Sequence, residues 1–261
     1  MPKSHSEKKL ISIIICTYNS QKTIKDTINS ILIQNYKNYE IIIIDNTSSD
    51  NTIRIIKDYR LKNIRIFISR DTGIYNAINK GIKKSVGDII SILHSDDFYY
   101  NSFTLLNISK LFQKRDVDIV YGDLFYVSRN NKKLILRYWK SGIYKKGSFF
   151  KGWSPAHPTF FCKKKTYMQG KLYREDLGNS ADIELMYRYL EIFKFKFYYL
   201  KKVLIAMRYG GSSNKNIKNI ISQNMQILKF LKIYGNVYKI LLFILYKIFN
   251  RLTQIFLAKR Y

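Results

Sequence analysis

Four short runs of apolar, mostly β-branched residues, each ending at a polar cluster, constrain the fold of this chain more than any other feature. The runs are Ile11–Cys16, Glu40–Ile44, Ile64–Ile68 and Ile89–Leu93. Because they are almost continuously apolar, we predict strands of a parallel sheet that is covered on both faces. Segments with apolar residues at helical spacing separate the runs, so the sequence predicts an α/β fold with helices on both sides of the sheet.

The clearest helix lies between the third and fourth strands, where Ile74, Ala77, Ile78, Gly81 and Ile82 form one apolar stripe. Beyond Asp97 the pattern loosens, and the predicted elements are shorter. They are a helix around Leu105–Phe112, strands near Ile119–Tyr121 and Lys133–Trp139, a helix at Asp182–Phe193 and a strand near Val203–Met207.

Polar clusters follow the ends of the four predicted strands. They are Thr17–Asn19, Asp45–Asp50, Arg70–Asp71 and Ser95–Asp97. Ligands of open parallel sheets bind beyond the carboxyl ends of the strands. We therefore expect these four clusters to converge on one crevice.

Asp96 and Asp97 are adjacent carboxylates directly after an apolar strand. Two such groups repel each other and are costly to bury unless a cation lies between them. A hard divalent ion prefers oxygen ligands and keeps room for phosphate oxygens, so Mg²⁺ or Mn²⁺ with a diphosphate fits the pair. The alternative is a cap for a helix in the Phe98–Lys114 region, because two adjacent aspartates alone are a weak signal.

Two further positions stand out in the second half of the chain. His157 has a proline two residues before it and another directly after it, which fixes the backbone around the imidazole. It could contact a metal, a diphosphate or an acceptor, or pack structurally. Arg208 precedes two glycines, where the chain could close over a diphosphate or form an ordinary surface turn.

The motifs, taken in order, resemble those of family 2 glycosyltransferases with a GT-A fold, as in exopolysaccharide, capsule and O-antigen assembly. Each motif is weak, but their order is specific, and the resemblance covers most of residues 10–213. The matching segments are Thr17-Tyr18-Asn19, D-x-x-S-x-D from Asp45, G-x-x-x-A-x-N-x-G from Gly73, Ser95-Asp96-Asp97, His157-Pro-Thr-Phe-Phe, Ala181-Asp182-Ile-Glu-Leu and Met207-Arg-Tyr-Gly-Gly-Ser-Ser.

The resemblance implies a nucleotide-sugar donor, with UDP as the expected nucleotide, and a set of residues that bind it. These are Thr17, Tyr18, Asn19, Asp45, Asp71, Asp96 and Arg208. The first three would line the base pocket. Asp45 would accept a hydrogen bond from uracil or ribose, Asp71 would make a polar donor contact, and Asp96 would hold ribose or donor sugar.

The resemblance also implies the reacting groups. Asp97 would coordinate Mn²⁺ or Mg²⁺, and Asp182 would be the general base of an inverting transfer, with Glu184 as the alternative base and a helix N-cap as the structural alternative. His157 and Trp153 would contact the acceptor or the diphosphate. The triplet Ser95-Asp96-Asp97 lacks the first aspartate of the family pattern, a departure that bears on the ribose contact. No Q-x-x-R-W motif is present, and its absence argues against a polymerising enzyme.

The charge of the chain is strongly positive, with 46 Lys and Arg against 18 Asp and Glu, a net charge of +28. A nucleic-acid-binding protein would explain the charge but not the acidic clusters at strand ends. A sugar nucleotidyltransferase would need a glycine-rich phosphate loop after the first strand. We therefore expect no nucleic-acid partner. The family resemblance implies a polyprenyl-diphosphate-linked glycan as acceptor.

The ends of the chain suggest its location. We predict a tail at 1–9, a GT-A domain at 10–213 and a helical segment at 214–261. Val237–Leu257 is apolar but interrupted by basic residues, as in a helix lying on an anionic membrane surface rather than spanning it, although packing on the domain is the alternative. No signal peptide opens the chain. We expect a cytoplasmic protein, peripheral on the inner face of the membrane, with Cys16 and Cys162 buried and reduced.

Overall fold

A computed structural model describes residues 8–210, 229, 232–235 and 246. The predicted tail at 1–9 and the predicted membrane-surface helices at 214–261 lie largely outside these residues, and the domain boundaries stay predictions. Within the part of the chain that is described, no helix is both long enough and apolar enough to cross a bilayer.

One mixed sheet forms the centre of the described part. Its nine strands are β1 (Ile11–Thr17), β2 (Tyr39–Asp45), β3 (Ile64–Ile68), β4 (Ile89–Ile92), β5 (Phe98–Tyr99), β6 (Ile119–Val127), β7 (Ile135–Trp139), β8 (Phe161–Lys163) and β9 (Phe197–Arg208). The helices are α1 (Ile24–Leu32), α2 (Thr52–Asp58), α3 (Ile74–Lys84), α4 (Thr104–Lys114), α5 (Lys164–Gly170) and α6 (Ala181–Tyr187), which continues in a π-helical turn at Arg188–Ile192.

The strand order is β3-β2-β1-β4-β8-β6-β9-β5, with β7 paired to β6. Strands β1 to β4 are parallel. Strand β8 runs antiparallel to both β4 and β6, so β6 points the same way as β4, and β9 is parallel to β6. The carboxyl ends of β1, β2, β3, β4, β6 and β9 therefore all lie at one edge of the sheet, where ligands of such sheets bind.

Two apolar cores cover the two faces of the sheet, as predicted. On one face, Ile13 and Ile43 pack with residues of α1 and α4; on the other, Ile14 and Ile42 pack with residues of α3 and α6. Alternate residues of each strand enter opposite cores, which is why these strands are apolar throughout. Gly81 of α3 is required by this packing, because a Cβ there would collide with the side chain of Ile14.

Strands β6 and β9 are longer than predicted, whereas β7 begins at Ile135 rather than at Lys133. Strand β6 extends beyond Tyr121 to Val127, through Gly122 and Asp123. These two residues interrupt the apolar pattern, and Asp123 is buried because neighbouring groups satisfy its carboxylate. Likewise β9 begins at Phe197 rather than near Val203, and its start contains exposed lysines.

Cys16 and Cys162 are buried free thiols, as predicted. Burial raises the pKa of both thiols, so they remain protonated.

Candidate active site

The loops after β1 and β2 are joined by a dense set of hydrogen bonds around Asp45. The Asp45 carboxylate is fully buried and accepts from the Thr17 hydroxyl at 2.7 Å, the Ser48 hydroxyl at 2.6 Å and the Ser48 backbone N–H at 2.8 Å. Three donors on one carboxylate fix both loops before any ligand binds.

Asn19 closes the same side of the crevice. Its backbone N–H donates to Ser48 Oγ at 2.9 Å, and its side-chain oxygen accepts from the backbone N–H of Ser49 at 2.9 Å. Asn19 and Thr47 both have positive φ, at 47° and 54°. A β-branched residue is rare in that region, so the loop after β2 holds a strained turn at this site. Tyr18 is 62% exposed and presents an aromatic ring beside these loops.

Asp71 joins this group from the end of β3. Its backbone N–H donates to Asn46 Oδ1 at 2.8 Å, and its Oδ1 lies 2.6 Å from Lys80 Nζ. Its Oδ2 is buried and has no partner among the described residues. The clusters after β1, β2 and β3 thus meet in one place.

The turn carrying Asp96 and Asp97 is tied to the loop and helix that follow β1. Ser95 Oγ lies 2.8 Å from Ser20 Oγ, and the Thr27 hydroxyl donates to the backbone oxygen of Asp97 at 2.8 Å. The prediction that all four polar clusters converge is confirmed by these contacts and those around Asp45.

Asp97 is fully buried, and both of its carboxylate oxygens lack a hydrogen-bond partner among the described residues. Burial, and then the neighbouring Asp96 carboxylate, raise the pKa of Asp97 well above its usual range. A buried carboxyl with no donor is unfavourable unless a ligand completes its surroundings.

Arg208 lies at the carboxyl end of β9 and is almost fully buried. Its Nη1 donates to the backbone oxygen of Asp96 at 2.5 Å, and its Nη2 pairs with the Asp26 carboxylate of α1. The guanidinium also lies over the Phe98 ring at 5.3 Å. In this structure Arg208 holds the Asp96–Asp97 turn in place.

Two histidines face each other next to this turn. The ring centroids of His94 and His157 are 5.2 Å apart, and His157 Nε2 is buried with no partner among the described residues. Burial lowers the pKa of His157 to about 4, and burial together with the neighbouring His157 lowers the pKa of His94 to about 4. Both rings are therefore neutral at physiological pH.

Asp182 lies in the first turn of α6, after the N-cap Ser180, and its Oδ1 accepts from the backbone N–H of Ile183 at 2.7 Å. Ser180 rather than Asp182 is the N-cap residue. Burial raises the pKa of Asp182 to about 6, against the lowering effect of backbone N–H groups and of the Tyr75 hydroxyl. A carboxyl with this pKa is ionised at neutral pH and can accept a proton.

Glu184, the alternative base, is committed elsewhere. It is fully buried and forms a two-point ion pair with Arg188, at 2.8 and 3.0 Å. Arg188 also donates to the backbone oxygens of Lys171 and Leu172. This arrangement anchors α6, and the role of Asp182 as the base stays a prediction.

Trp153 lies in a loop between β7 and β8. Its indole N–H donates to the backbone oxygen of Ser141 at 2.5 Å, and its ring packs against Tyr144 and Phe149. Trp153 thus has partners within the protein, and its contact with a substrate stays a prediction.

The structure adds two residues to this region, Asp123 and Lys80, that the sequence analysis did not predict. Asp123 accepts from the hydroxyls of Tyr138 and Tyr199, at 2.7 and 2.8 Å, and from the backbone N–H of Ser141 at 2.8 Å. An aspartate inside a tyrosine-rich strand pair is the signal that could have revealed this network. Lys80, nine residues after Asp71, carried no such signal.

The residues present fit a hard divalent cation bound together with a substrate. Among the described residues, no three His, Cys, Asp or Glu side chains cluster around one point. Mg²⁺ and Mn²⁺ sites that act on nucleotides take one or two carboxylates from the protein and complete their shell with phosphate oxygens and water. The unpartnered oxygens of Asp97 match that requirement.

One known protein family matches more than half of this chain. The family described as "Glycosyl transferase family 2" matches residues 12–164, which contain β1 to β4 and the Asp96–Asp97 turn. The chain belongs to glycosyl transferase family 2. It is therefore a glycosyltransferase, and inversion at the anomeric carbon is typical of this family.

A characterised relative of this family 2 chain occurs in Escherichia coli. It is the UDP-Glc:alpha-D-GlcNAc-diphosphoundecaprenol beta-1,3-glucosyltransferase WfgD, 31% identical over 123 residues, which are 47% of this chain and 48% of that protein. The match thus spans about half of each protein.

Solved structures confirm the GT-A fold that the motifs predicted. S. aureus TarS in complex with UDP-GlcNAc matches with a TM-score of 0.64 and 18% identity, over 84% of this chain and 66% of that one. The mannosyltransferase PcManGT from Pyrobaculum calidifontis, in complex with GDP-Man and Mn²⁺, matches with a TM-score of 0.66 and 15% identity, over 97% and 74%. At these identities the likeness shows the fold alone.

Proposed function

We propose that this glycosyltransferase moves a sugar from a UDP-sugar to a lipid-diphosphate-linked glycan during surface polysaccharide assembly, with inversion and with help from a divalent cation. The observation that carries the proposal is the Asp97 carboxyl, fully buried at the carboxyl end of β4 with both oxygens unpartnered. A family 2 enzyme with this group in its crevice has a ready site for a cation that carries a diphosphate.

The nucleotide would bind on the side of the crevice formed after β1, β2 and β3. Asp45 and Asn19 hold these loops in place, and Tyr18 offers an exposed ring beside them. We assign the base pocket to Thr17, Tyr18 and Asn19, with Asp45 and Asp71 as polar contacts to the donor. The UDP-GlcNAc complex of TarS supports a UDP-sugar donor.

Asp97 would hold Mn²⁺ or Mg²⁺. Such a cation neutralises charge on the departing nucleoside diphosphate, and the Mn²⁺ complex of PcManGT supports this choice. His157 would contact the diphosphate or the cation through its unpartnered Nε2. Arg208 would position the Asp96–Asp97 turn through its bond to the Asp96 backbone oxygen, rather than contact the donor directly.

Asp182 would act as the base. In an inverting transfer, the acceptor hydroxyl attacks the anomeric carbon while its proton passes to the Asp182 carboxylate and the carbon–oxygen bond to the nucleotide breaks. The pKa of about 6 keeps Asp182 ionised at neutral pH yet basic enough to take the proton.

The acceptor and the location are supported by the E. coli relative, whose name includes a diphosphoundecaprenol-linked sugar. An acceptor of this kind stays in the membrane, so the enzyme would work at the cytoplasmic membrane surface. The basic, interrupted apolar sequence of Val237–Leu257 agrees with peripheral binding to anionic lipid. Trp153 would lie on the acceptor side.

The test is a donor screen. The purified full chain is incubated with UDP-glucose, UDP-GlcNAc, UDP-galactose and GDP-mannose, each with a short lipid-diphosphate monosaccharide and either Mn²⁺ or EDTA. We expect transfer from one UDP-sugar in Mn²⁺ and none in EDTA. Transfer at equal rates in EDTA would contradict the metal assignment, and transfer from GDP-mannose alone would contradict the UDP assignment.

A further inference from the structure

The turn between β6 and β7 (residues 128–134) lies at the same edge of the sheet as the proposed donor site. Strand β6 points the same way as β4, so Val127 at the end of β6 and Asp97 after β4 lie at the same edge of the sheet. The turn sequence is Ser-Arg-Asn-Asn-Lys-Lys-Leu, with three basic residues. Positive charge therefore lies at the edge of the sheet where the diphosphate would bind.

The turn is closed and anchored. Ser128 N–H donates to the Leu134 oxygen at 2.9 Å, and Lys132 Nζ lies 2.7 Å from Asp26 Oδ1 on α1. Asp26 is the same carboxylate that pairs with Arg208. The base of the turn is thereby fixed to the elements that hold the Asp96–Asp97 turn.

Arg129, in contrast, is only loosely held. Its side chain is 45% exposed, and its Nη2 lies 3.5 Å from Oδ2 of Asp96, which is itself 28% exposed. Ion pairs this exposed contribute little to stability because solvent screens both charges. Arg208 differs, since it is buried and bonded to Asp26 and to the Asp96 backbone. The guanidinium that can change partners at this turn is that of Arg129.

We infer that Arg129 binds the diphosphate of the nucleotide donor. This inference rests on the proposed function. Without donor, Arg129 pairs with Asp96; with donor, its guanidinium turns to the diphosphate oxygens, where a planar fork of N–H donors fits two oxygens at once. Asp96 is released by the same exchange and can accept hydrogen bonds from ribose or donor-sugar hydroxyls.

Charge favours the exchange. A nucleoside diphosphate entering this crevice meets the carboxylates of Asp45, Asp71 and Asp96, and Lys80 beside them is already paired with Asp71. One divalent cation at Asp97 offsets only part of the resulting negative charge. Arg129 supplies a further positive charge without leaving another carboxylate buried and unpaired, because Asp96 is partly exposed.

Two ligands and three variants of the full chain test the inference. UDP and uridine binding is measured by calorimetry or ligand-observed NMR in Mn²⁺ for wild type, Arg129→Gln, Arg129→Lys and the control Lys133→Gln. Lys133 is an exposed cation of the same turn, so its substitution removes the same charge from the same segment. Uridine lacks the phosphates that Arg129 would contact.

We expect Arg129→Gln to weaken UDP binding about 10- to 100-fold, the range for hydrogen bonds to charged groups, and to leave uridine binding unchanged. The UDP affinity of Arg129→Lys should lie between those of Arg129→Gln and wild type. The UDP affinity of Lys133→Gln should stay within about twofold of wild type, because solvent and salt screen an exposed charge that does not contact the ligand. UDP binding by Arg129→Gln within twofold of wild type would overturn the inference, as would equal loss of UDP and uridine. A wild type that does not bind UDP would instead overturn the proposed function itself.

Discussion

The two sides of the crevice differ in how completely their polar groups are satisfied. On the side formed after β1 and β2, the buried Asp45 carboxylate accepts three hydrogen bonds from Thr17 and Ser48. On the side formed after β4, the Asp97 oxygens and His157 Nε2 are buried without partners among the described residues. The first side is complete apart from Asp71 Oδ2 after β3, which is buried without a partner among the described residues, whereas the second side is incomplete.

This difference separates two kinds of binding. A satisfied pocket is rigid before the ligand arrives and selects its ligand by shape and hydrogen bonds. An unsatisfied pocket gains most from a ligand that brings the missing charge, because a low-dielectric site strengthens that interaction. We therefore expect the Asp45 side to select the nucleotide and the Asp97 side to bind the cation and diphosphate.

The largest effect should come from Asp97→Asn. Without the carboxylate, the proposed cation would lose its protein ligand, and we expect the transfer rate to fall about 10³-fold or more, since preorganised groups that stabilise a leaving charge contribute on this scale. The melting temperature should stay the same or rise, because an unpaired buried carboxyl is removed. Steady-state kinetics and thermal unfolding check the two parts.

The matched control is Asp116→Asn, which removes an exposed carboxylate that is paired with Lys196. It should keep both rate and melting temperature. An Asp97→Asn enzyme with the wild-type rate would contradict the metal assignment.

Asp182→Asn should have the second largest effect on the transfer rate. We expect turnover to fall about 10²- to 10⁴-fold, the usual contribution of a positioned base. UDP affinity should be unchanged in calorimetry, because the base contacts the acceptor rather than the nucleotide. Loss of UDP binding together with turnover would contradict the role.

The pH dependence of the wild-type rate also tests whether Asp182 is the base. Asp182 must be ionised to accept a proton, and burial raises its pKa to about 6. The value of kcat/KM should therefore be level above pH 7 and fall about tenfold per pH unit below pH 6. A limb near pH 4, the value of an ordinary carboxyl, would show that a different group sets the profile.

Glu184→Gln tests a buried carboxylate that is satisfied. Breaking its ion pair with Arg188 should lower the free energy of unfolding by about 3 kcal/mol, the scale for leaving a buried charge unpaired. Turnover per folded molecule should change little. A rate loss as large as that of Asp182→Asn, in protein shown to be folded, would make Glu184 the base.

Asp45→Asn should cause a smaller loss of stability than Glu184→Gln and gives the clearest contrast with Asp97→Asn. Replacing an acceptor of three hydrogen bonds by an amide should cost about 1–3 kcal/mol of folding free energy. Chemical denaturation of both variants measures the contrast. Equal stability changes at positions 45 and 97 would remove the distinction between the two sides.

The first half of the fold and the meeting of its strand-end clusters could be predicted because their signals are local. Each strand from β1 to β4 is an apolar run that ends at a polar cluster, and parallel strands bring such ends together. The family motifs added roles for Asp45, Asp97 and Asp182 that apolar periodicity cannot assign.

The second half could not be predicted as well, because distant residues determine it. Asp123 lies inside β6 only because two tyrosine hydroxyls from β7 and β9 reach it. Arg208 pairs with Asp26, which is 182 residues away in the sequence. Contacts of this kind leave no periodic trace, so the partners of Arg208 and the anchoring of the β6–β7 turn had to be seen in three dimensions.

The central claim is that a divalent cation completes the incomplete side of the crevice and carries the nucleotide's diphosphate there. UDP titrated by calorimetry into wild type and Asp97→Asn, each in Mn²⁺ and in EDTA, measures this coupling directly. We predict that Mn²⁺ tightens UDP binding at least about tenfold in wild type and has no effect in Asp97→Asn. The same gain from Mn²⁺ in both proteins, or no gain in wild type, would contradict it.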